Sequence, residues 1–206
     1  MTIFYALISF LGWLLFPINN TFPFFERVFC DAIQRNQVFN AIQKDNKIIG
    51  GGSFLTEFGV CALCYDNGTC LTSECETILE SSDQYFMSWS YGDSNFYTID
   101  GNFNYPIINI FARVYPQSTS GKPISLFYDP KSLLFSYKYE HDPSINEPTE
   151  IYIPKFLYST EFQVTVSEHL QYYFDNKTLL LLITVSDMWK EPFQASIIVQ
   201  KANTKF

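Results

Sequence analysis

Two side chains in this sequence combine a suitable chemical group with a position that could give it a role in catalysis. Glu57 stands near the end of Ser53–Phe58, a run that predicts a short buried strand closed by Gly59. Barrel enzymes place their catalytic groups at the carboxyl ends of strands. Trp89 ends the next predicted strand, Tyr85–Trp89, where its ring could stack on a sugar beside the carboxylate. The alternatives are a structural glutamate and a core tryptophan.

Other hydrolytic patterns receive little support from the sequence. His141 and His169 are its two histidines, and neither lies near a candidate nucleophile. The sequence contains no Gly-x-Ser-x-Gly turn and no phosphate-binding loop. We therefore do not expect a hydrolase with a Ser/His/Asp or Cys/His catalytic site, and we expect no cofactor. Each histidine is interpreted as a surface or strand residue.

The cysteines and the glycosylation sequons together indicate an oxidising compartment. Four of the five cysteines fall within fifteen residues, at Cys61, Cys64, Cys70 and Cys75, with Cys30 apart from them. Sequons begin at Asn19, Asn67 and Asn176, and the second lies inside the cysteine cluster. Disulfides are favoured over a four-thiolate zinc site because the spacing is irregular for a zinc ribbon. We expect a secreted, lysosomal or extracellular protein.

Length and charge limit what the chain can be. With 206 residues it cannot hold a complete (β/α)8 barrel of about 250 residues, and certainly not one with a β-sandwich of about 100. Hydrophobic residues make up 47% and aromatic residues 18%, which is typical of packed β-structure. A net charge of −8 without a Lys/Arg cluster argues against nucleic acid and polybasic membrane docking, whereas a neutral sugar fits.

Residues 1–100 show α/β alternation after an apolar start. Residues 1–21 contain an apolar run, 3–17, of signal-peptide or anchor length, although a gene-model artefact or a buried element of a truncated domain gives the same pattern. Helical spacing follows over 22–46, with a break expected near Asn36. After Gly50–Gly52 and the first strand, a capping box of Ser73 and Glu76 predicts a helix to about residue 84. Residues 22–100 thus look like about a quarter of a barrel.

The pattern changes beyond about residue 100 to short alternating runs separated by turn residues. Eight runs predict an antiparallel β-sandwich over residues 101–206, with a boundary near 95–103 and no helix. The runs are 107–114, 124–128, 133–139, 150–153, 162–166, 171–174, 179–185 and 193–199. The expected fold is therefore mainly β, with a C-terminal sandwich preceded by the last α/β segments of an incomplete barrel.

Several of these segments resemble one enzyme family. Residues 51–59, Gly-Gly-Ser-Phe-Leu-Thr-Glu-Phe-Gly, and residues 88–91, Ser-Trp-Ser-Tyr, look like the end of the catalytic domain in the endoglycoceramidase branch of glycoside hydrolase family 5. Downstream, residues 113–116, 121–123 and 148–154 are similar to the start of that family's C-terminal β-sandwich domain. The resemblance covers about residues 22–199.

The resemblance implies that Glu57 is the nucleophile of a retaining glycosidase acting on glycosphingolipids or related glycolipids. Retaining chemistry also needs an acid/base, which in the family lies on an earlier barrel strand. Asn146-Glu147-Pro148 repeats the family's acid/base tripeptide, but it follows Glu57 and lies in a polar turn, so we interpret it as a turn. We expect the chain alone to be inactive, with a glycolipid or oligosaccharide as the parent enzyme's substrate and peripheral contact with lipid surfaces as a further option. The alternative is a non-catalytic secreted sandwich that binds glycan or lipid surfaces.

Overall fold

A computed structural model describes residues 34–59, 63–64, 70–92, 96–158, 162–186 and 189–202. The apolar segment 1–21 and the first part of the predicted helix lie outside these residues. The chain forms two compact units, residues 1–40 and 41–206. In the described residues no helix is long and apolar enough to cross a membrane.

Helical structure is confirmed for the described part of the first predicted helix. In the first unit, Gln34–Phe39 is a π-helical segment, which covers the position of the predicted break. Helix α1 spans Asn40–Ile49 and ends at Gly50, whose φ of 78° and N–H bond to the Asn46 carbonyl form a glycine C-terminus.

The α/β segment consists of two parallel strands joined by a crossover helix. Strand β1 spans Phe54–Phe58, and β4 spans Ser88–Tyr91, so β4 begins three residues and ends two residues later than predicted. Between them lie β2 (Leu63–Cys64), β3 (Cys70–Leu71) and helix α2 (Ser73–Gln84). Strand β1 is not the buried strand we predicted, because only one of its five residues is buried.

The predicted capping box of helix α2 is wrong by one residue. Its N-cap is Thr72 rather than Ser73, and no side chain caps the backbone. Instead the Thr72 hydroxyl donates to Oε1 of Glu76 at 2.8 Å. The helix nevertheless ends at Gln84, as the sequence predicted.

The predicted strand at 107–114 is also wrong, because Tyr105–Phe111 is helix α3. Pro106 occupies the first turn, where its fixed φ and missing N–H suit a helix. Ile107 and Ile110, three residues apart, lie on one helix face and are buried in a cluster with Phe58 and Leu79. Residues 105–111 therefore pack with the α/β segment.

The antiparallel β-sandwich is confirmed over the residues that follow. Its two four-stranded sheets have the orders β10–β11–β8–β5 and β6–β7–β12–β9. The strands are β5 (Tyr115–Ser118), β6 (Gly121–Asp129), β7 (Leu134–His141), β8 (Thr149–Tyr152), β9 (Phe162–Val166), β10 (Leu170–Asp175), β11 (Leu180–Val185) and β12 (Gln194–Lys201). Strand β5 was not predicted.

Tyrosines occupy the centre of the sandwich core. Tyr137 and Tyr139, both fully buried on β7, stack with ring centroids 5.7 Å apart. The Tyr137 hydroxyl shares a 2.7 Å hydrogen bond with Thr119. In contrast, the buried hydroxyls of Tyr139 and Tyr128 have no hydrogen-bond partner in the described part of the chain.

A buried ion pair joins helix α2 to the sandwich. Arg113, whose side chain is 4% exposed, donates from Nη2 to Oδ2 of Asp83 in the last turn of α2. Its guanidinium also lies 4.8 Å from the ring centroid of Tyr128 on β6. The Arg113 side chain thus links helix α2, which lies between β1 and β4 in the chain, to the β-sandwich.

Candidate active site

An irregularity in β1 determines where Glu57 points. The pairing runs Phe54 with Ser88, Leu55 with Trp89 and Phe58 with Tyr91, so β1 uses one residue more than β4 between the last two pairs. Such a bulge changes the side-chain alternation. Leu55 and Phe58 both pack in the apolar cluster although they are three residues apart, and Glu57 is exposed.

Gly92 provides the space beside the carboxylate. This glycine follows β4, and its N–H donates to the Phe58 carbonyl at 2.8 Å. A Cβ at residue 92 would lie 3.1 Å from Cγ and 3.3 Å from Oε1 of Glu57. Gly92 was not predicted as a site residue, although a glycine close to a strand can mark the close approach of another group.

Trp89 lies on the side of the parallel pair that faces the apolar cluster. It is half-buried, with ring centroids 5.8 Å from both Phe58 and Phe111. Its cross-strand partner is Leu55, so Trp89 lies level with the second residue of β1 and not with Glu57. The prediction that Trp89 ends its strand is wrong, because β4 continues to Tyr91. Stacking of Trp89 on a sugar stays a prediction.

Chemically, the arrangement offers one accessible carboxylate at the carboxyl end of a parallel strand. No hydrogen bond or ion pair within the described residues engages Glu57, and the residue is exposed, so a substrate could reach its carboxylate. Among those same residues no group of three or more His, Cys, Asp or Glu side chains could hold a metal ion. The carboxylate is therefore suited to act as a nucleophile or a hydrogen-bond acceptor.

The other residues weighed as catalytic groups belong to the β-sandwich and its turns. Glu147 is exposed between β7 and β8, in keeping with its interpretation as a turn residue. His141 is buried, and its Nδ1 lies 3.0 Å from the Ser120 carbonyl oxygen. His169 stacks on Trp189 with ring centroids 3.8 Å apart. Both histidines thus contact residues of the sandwich rather than a candidate nucleophile.

The cysteine and sequon predictions fall largely outside the described side chains. Cys75 is fully buried in the first turn of α2. The side chains of Cys30, Cys61, Cys64 and Cys70 are outside the described part, so the pairing stays a prediction. Of the sequons, Asn19 and Asn67 also lie outside it, whereas Asn176 is exposed at the turn between β10 and β11.

Comparison with known proteins finds a family model that matches most of the sandwich. Residues 113–197 match the family model described as the glycoside hydrolase family 5 C-terminal domain. A glucosylceramidase of Cryptococcus neoformans var. grubii is 35% identical over 69 residues, which are 29% of this chain and 9% of that protein.

Solved structures share the fold over a longer stretch. Endo-glycoceramidase II from a Rhodococcus species, in complex with a five-membered iminocyclitol, gives a TM-score of 0.67 at 19% identity over 91% of this chain and 42% of that one. Cryptococcus neoformans sterylglucosidase 1 gives 0.64 at 14% identity over 84% of this chain and 32% of that one. The chain thus spans less than half the length of these proteins. Residues 113–197 thus match the C-terminal domain of glycoside hydrolase family 5, and the predicted resemblance of the chain to the C-terminal part of the endoglycoceramidase-like branch of that family is confirmed.

Proposed function

We propose that this chain is the C-terminal part of a retaining glycosidase that hydrolyses O-glycosyl bonds of glycolipids, with Glu57 as its nucleophile. The observation that carries the proposal is the exposed Glu57 carboxylate at the carboxyl end of a parallel strand, with Gly92 leaving room beside it. Relatives named as an endo-glycoceramidase and a glucosylceramidase support a glycolipid substrate.

In the proposed reaction the Glu57 carboxylate attacks the anomeric carbon while an acid protonates the departing oxygen. The glycosyl–enzyme ester is then hydrolysed by water that the same acid, now a base, activates. The two carboxyl groups must lie about 5–5.5 Å apart. The proposed acid/base belongs to an upstream part of the barrel, as the family resemblance implies, and Glu147 is interpreted as a turn residue.

The chain as it stands should therefore turn over neither glycosphingolipids nor aryl glycosides above background. The missing general acid is worth about 10² to 10⁴ in rate. The test compares the wild-type chain with Glu57→Gln and, as a matched control, Glu147→Gln, on a fluorogenic aryl β-glucoside and a glycosphingolipid. If the wild-type chain turns over substrate and Glu57→Gln abolishes this turnover, the predicted inactivity is wrong. Loss of that activity in Glu147→Gln would then identify Glu147 as the second carboxylate.

A test of Glu57 as the nucleophile needs a longer protein that includes the upstream part of the barrel. In that protein we expect Glu57→Ala to lose activity and added azide to restore it by forming a glycosyl azide of inverted configuration, since azide replaces the missing nucleophile. Glu147→Ala should retain wild-type activity. Formation of the inverted glycosyl azide by Glu147→Ala, or no rescue of Glu57→Ala in a folded variant, contradicts the assignment.

Gly92 allows a finer test in the same extended protein. Gly92→Ala places a methyl group 3.1 Å from Cγ of Glu57 and should lower kcat while leaving the fold intact. Gly52→Ala is the matched control, because a Cβ there meets nothing within 4 Å. Equal activity of the two variants would show that Gly92 does not help to position the Glu57 carboxylate.

We also propose that the protein passes through a secretory compartment. A disulfide should join Cys61 or Cys64 to Cys70 or Cys75 beside the site, and Asn67 and Asn176 should carry glycans. Peptide mapping without reduction, on protein from a eukaryotic host, tests both modifications. Free thiols at all four cysteines, or stoichiometric zinc, would contradict the disulfide.

A further inference from the structure

The outer face of the sheet β10–β11–β8–β5 carries a row of tyrosine and leucine side chains that the proposed catalysis does not use. Across these strands Asp175 pairs with Leu180, Leu180 with Tyr152 and Tyr152 with Tyr115, and the carboxylate of Asp175 is engaged by its own turn at the edge of this row. The next row pairs Tyr173 with Leu182, and Leu182 with Glu150. Paired residues in antiparallel strands share a face, and residues two apart along a strand do as well. We call this surface the tyrosine face; it consists of Tyr115, Glu150, Tyr152, Tyr173, Leu180 and Leu182.

The tyrosine face is open to solvent. Tyr173 is 65% exposed and Tyr115 is 44% exposed, while Tyr152 is half-buried between strands. The rings of Tyr115 and Tyr152 lie 5.4 Å apart with 40° between their planes, so they form a shallow aromatic surface. From β5 to β10 the face is three strand spacings wide, or about 14 Å.

Glu150 gives this face a polar centre. Its side chain is half-buried between Leu182 and Ser118, and within the described residues no hydrogen bond or ion pair engages its carboxylate. Gln171 and Thr184, a cross-strand pair two residues beyond Tyr173 and Leu182, add exposed polar groups at one side. The face thus combines aromatic rings with hydrogen-bonding groups at strand spacing.

We propose that the tyrosine face binds neutral oligosaccharide. A pyranose ring presents C–H bonds on its faces, which pack on aromatic rings, and hydroxyls around its edge, which donate to a carboxylate. Phenol rings suit this role because they combine an apolar body with a polar tip. Binding here requires no catalysis and is therefore independent of the proposed function of Glu57.

The charge of the face disfavours the other classes of partner. A carboxylate buried under an apolar protein surface or inserted among acyl chains loses its hydration without compensation, which is costly. Anionic membranes and nucleic acid would be repelled by Glu150 and by the net charge of −8. A neutral polyol instead supplies hydroxyl donors to that carboxylate.

The test uses the full chain from a bacterial host, so that Asn176 near the face carries no glycan. Calorimetric titration with a panel of neutral glucose- and galactose-containing oligosaccharides, up to about 10 mM, should detect binding of at least one of them. Tyr173→Ala and Tyr115→Ala, each checked for folding by circular dichroism, should bind it at least about tenfold more weakly. Glu150→Gln should also weaken it.

Tyr172→Ala is the matched control. Tyr172 is 51% exposed and adjacent to Tyr173 on β10, but its side chain lies on the other side of the sheet. This variant should bind like the wild type. Absence of binding to every oligosaccharide overturns the proposal, as does equal weakening by Tyr172→Ala or Tyr173-dependent binding to phosphatidylcholine vesicles in place of sugar. Failure here leaves the azide-rescue result for Glu57 unaffected.

Discussion

Replacing Arg113 alone should destabilise this protein far more than replacing Arg113 and Asp83 together. Arg113→Met leaves the Asp83 carboxylate, 13% exposed, without its cation and removes the guanidinium from the face of the Tyr128 ring. The double variant Arg113→Met/Asp83→Leu removes both charges and keeps apolar volume at the contact. The comparison therefore isolates the cost of an unpaired buried charge.

The structure indicates the size of the effect. Breaking a buried ion pair by removing one partner costs about 3–5 kcal/mol, and the partial exposure of Asp83 favours the lower end, about 3 kcal/mol. Replacement of both partners by apolar side chains is often neutral, so the double variant should unfold within about 1 kcal/mol of the wild type. The buried Nε of Arg113, which has no hydrogen-bond partner among the described residues, further limits what the pair contributes.

The effect should depend on pH in a defined direction. Burial raises the pKa of the Asp83 carboxyl above its ordinary value, and the adjacent Arg113 offsets this only in part. A raised folded-state pKa stabilises the fold at low pH, and that stabilisation is lost as pH rises through the folded pKa. Without Arg113 the pKa rises further, so Arg113→Met should be closer to the wild type at about pH 4 than at pH 7.

Urea unfolding followed by far-ultraviolet circular dichroism measures these differences, with equal m-values as the check that the same surface unfolds. Lys138→Met, which removes an exposed cation of β7, serves as control and should change stability by less than about 0.5 kcal/mol. A double variant as unstable as Arg113→Met, or an Arg113→Met cost no larger than that of Lys138→Met, would refute the reasoning.

Three further predictions concern the sandwich. Tyr137→Phe should cost about 1 kcal/mol because it removes a hydrogen bond, whereas Tyr139→Phe should be neutral or stabilising because its buried hydroxyl lacks a partner in the described residues; chemical unfolding compares them. Gly121→Ala should abolish or severely weaken folding, since its Cβ would lie 2.0 Å from the Glu140 carbonyl oxygen; thermal unfolding of soluble material measures this. Burial raises the pKa of Tyr128 and Tyr137 to about 12, so the stability that these neutral phenols provide should be complete below about pH 10 and fall as pH rises toward 12; the urea midpoint against pH measures this.

The sequence predicted helices and strands best where the spacing of apolar side chains fitted only one kind of element. Strand β7 alternates strictly between buried and less buried residues, and its predicted run, 133–139, lies almost entirely within Leu134–His141. Strand β5 was missed because only Pro116 of its four residues is even half-buried, so it has no apolar alternation. Helix α3 was mistaken for a strand because its β-branched isoleucines favour strands, while Pro106 and the spacing of the buried side chains favour a helix.

The sequence predicted which residue carries the candidate carboxylate but not the direction in which its side chain points. Glu57 could be recognised as a strand-end carboxylate, but strict alternation along β1 would have placed it on the same face as Leu55. The bulge that exposes Glu57 depends on the pairing with β4, which lies about thirty residues along the chain. Such pairing is a tertiary property, and no local pattern in the sequence encodes it.

The parallel pairing of β1 with β4 has a consequence for the order in which the protein folds and for its lifetime. Hairpins such as β6–β7 and β10–β11 close over short turns, whereas β1 and β4 meet only after the chain between them, with α2, has crossed over. Among the described residues, the small apolar cluster beneath them holds five buried residues and the sandwich core holds fourteen. The segment that carries Glu57 should therefore be the last to gain protection from hydrogen exchange and the first to admit a protease. Degradation of the chain would then begin at the carboxylate-bearing end, and the sandwich would outlive it.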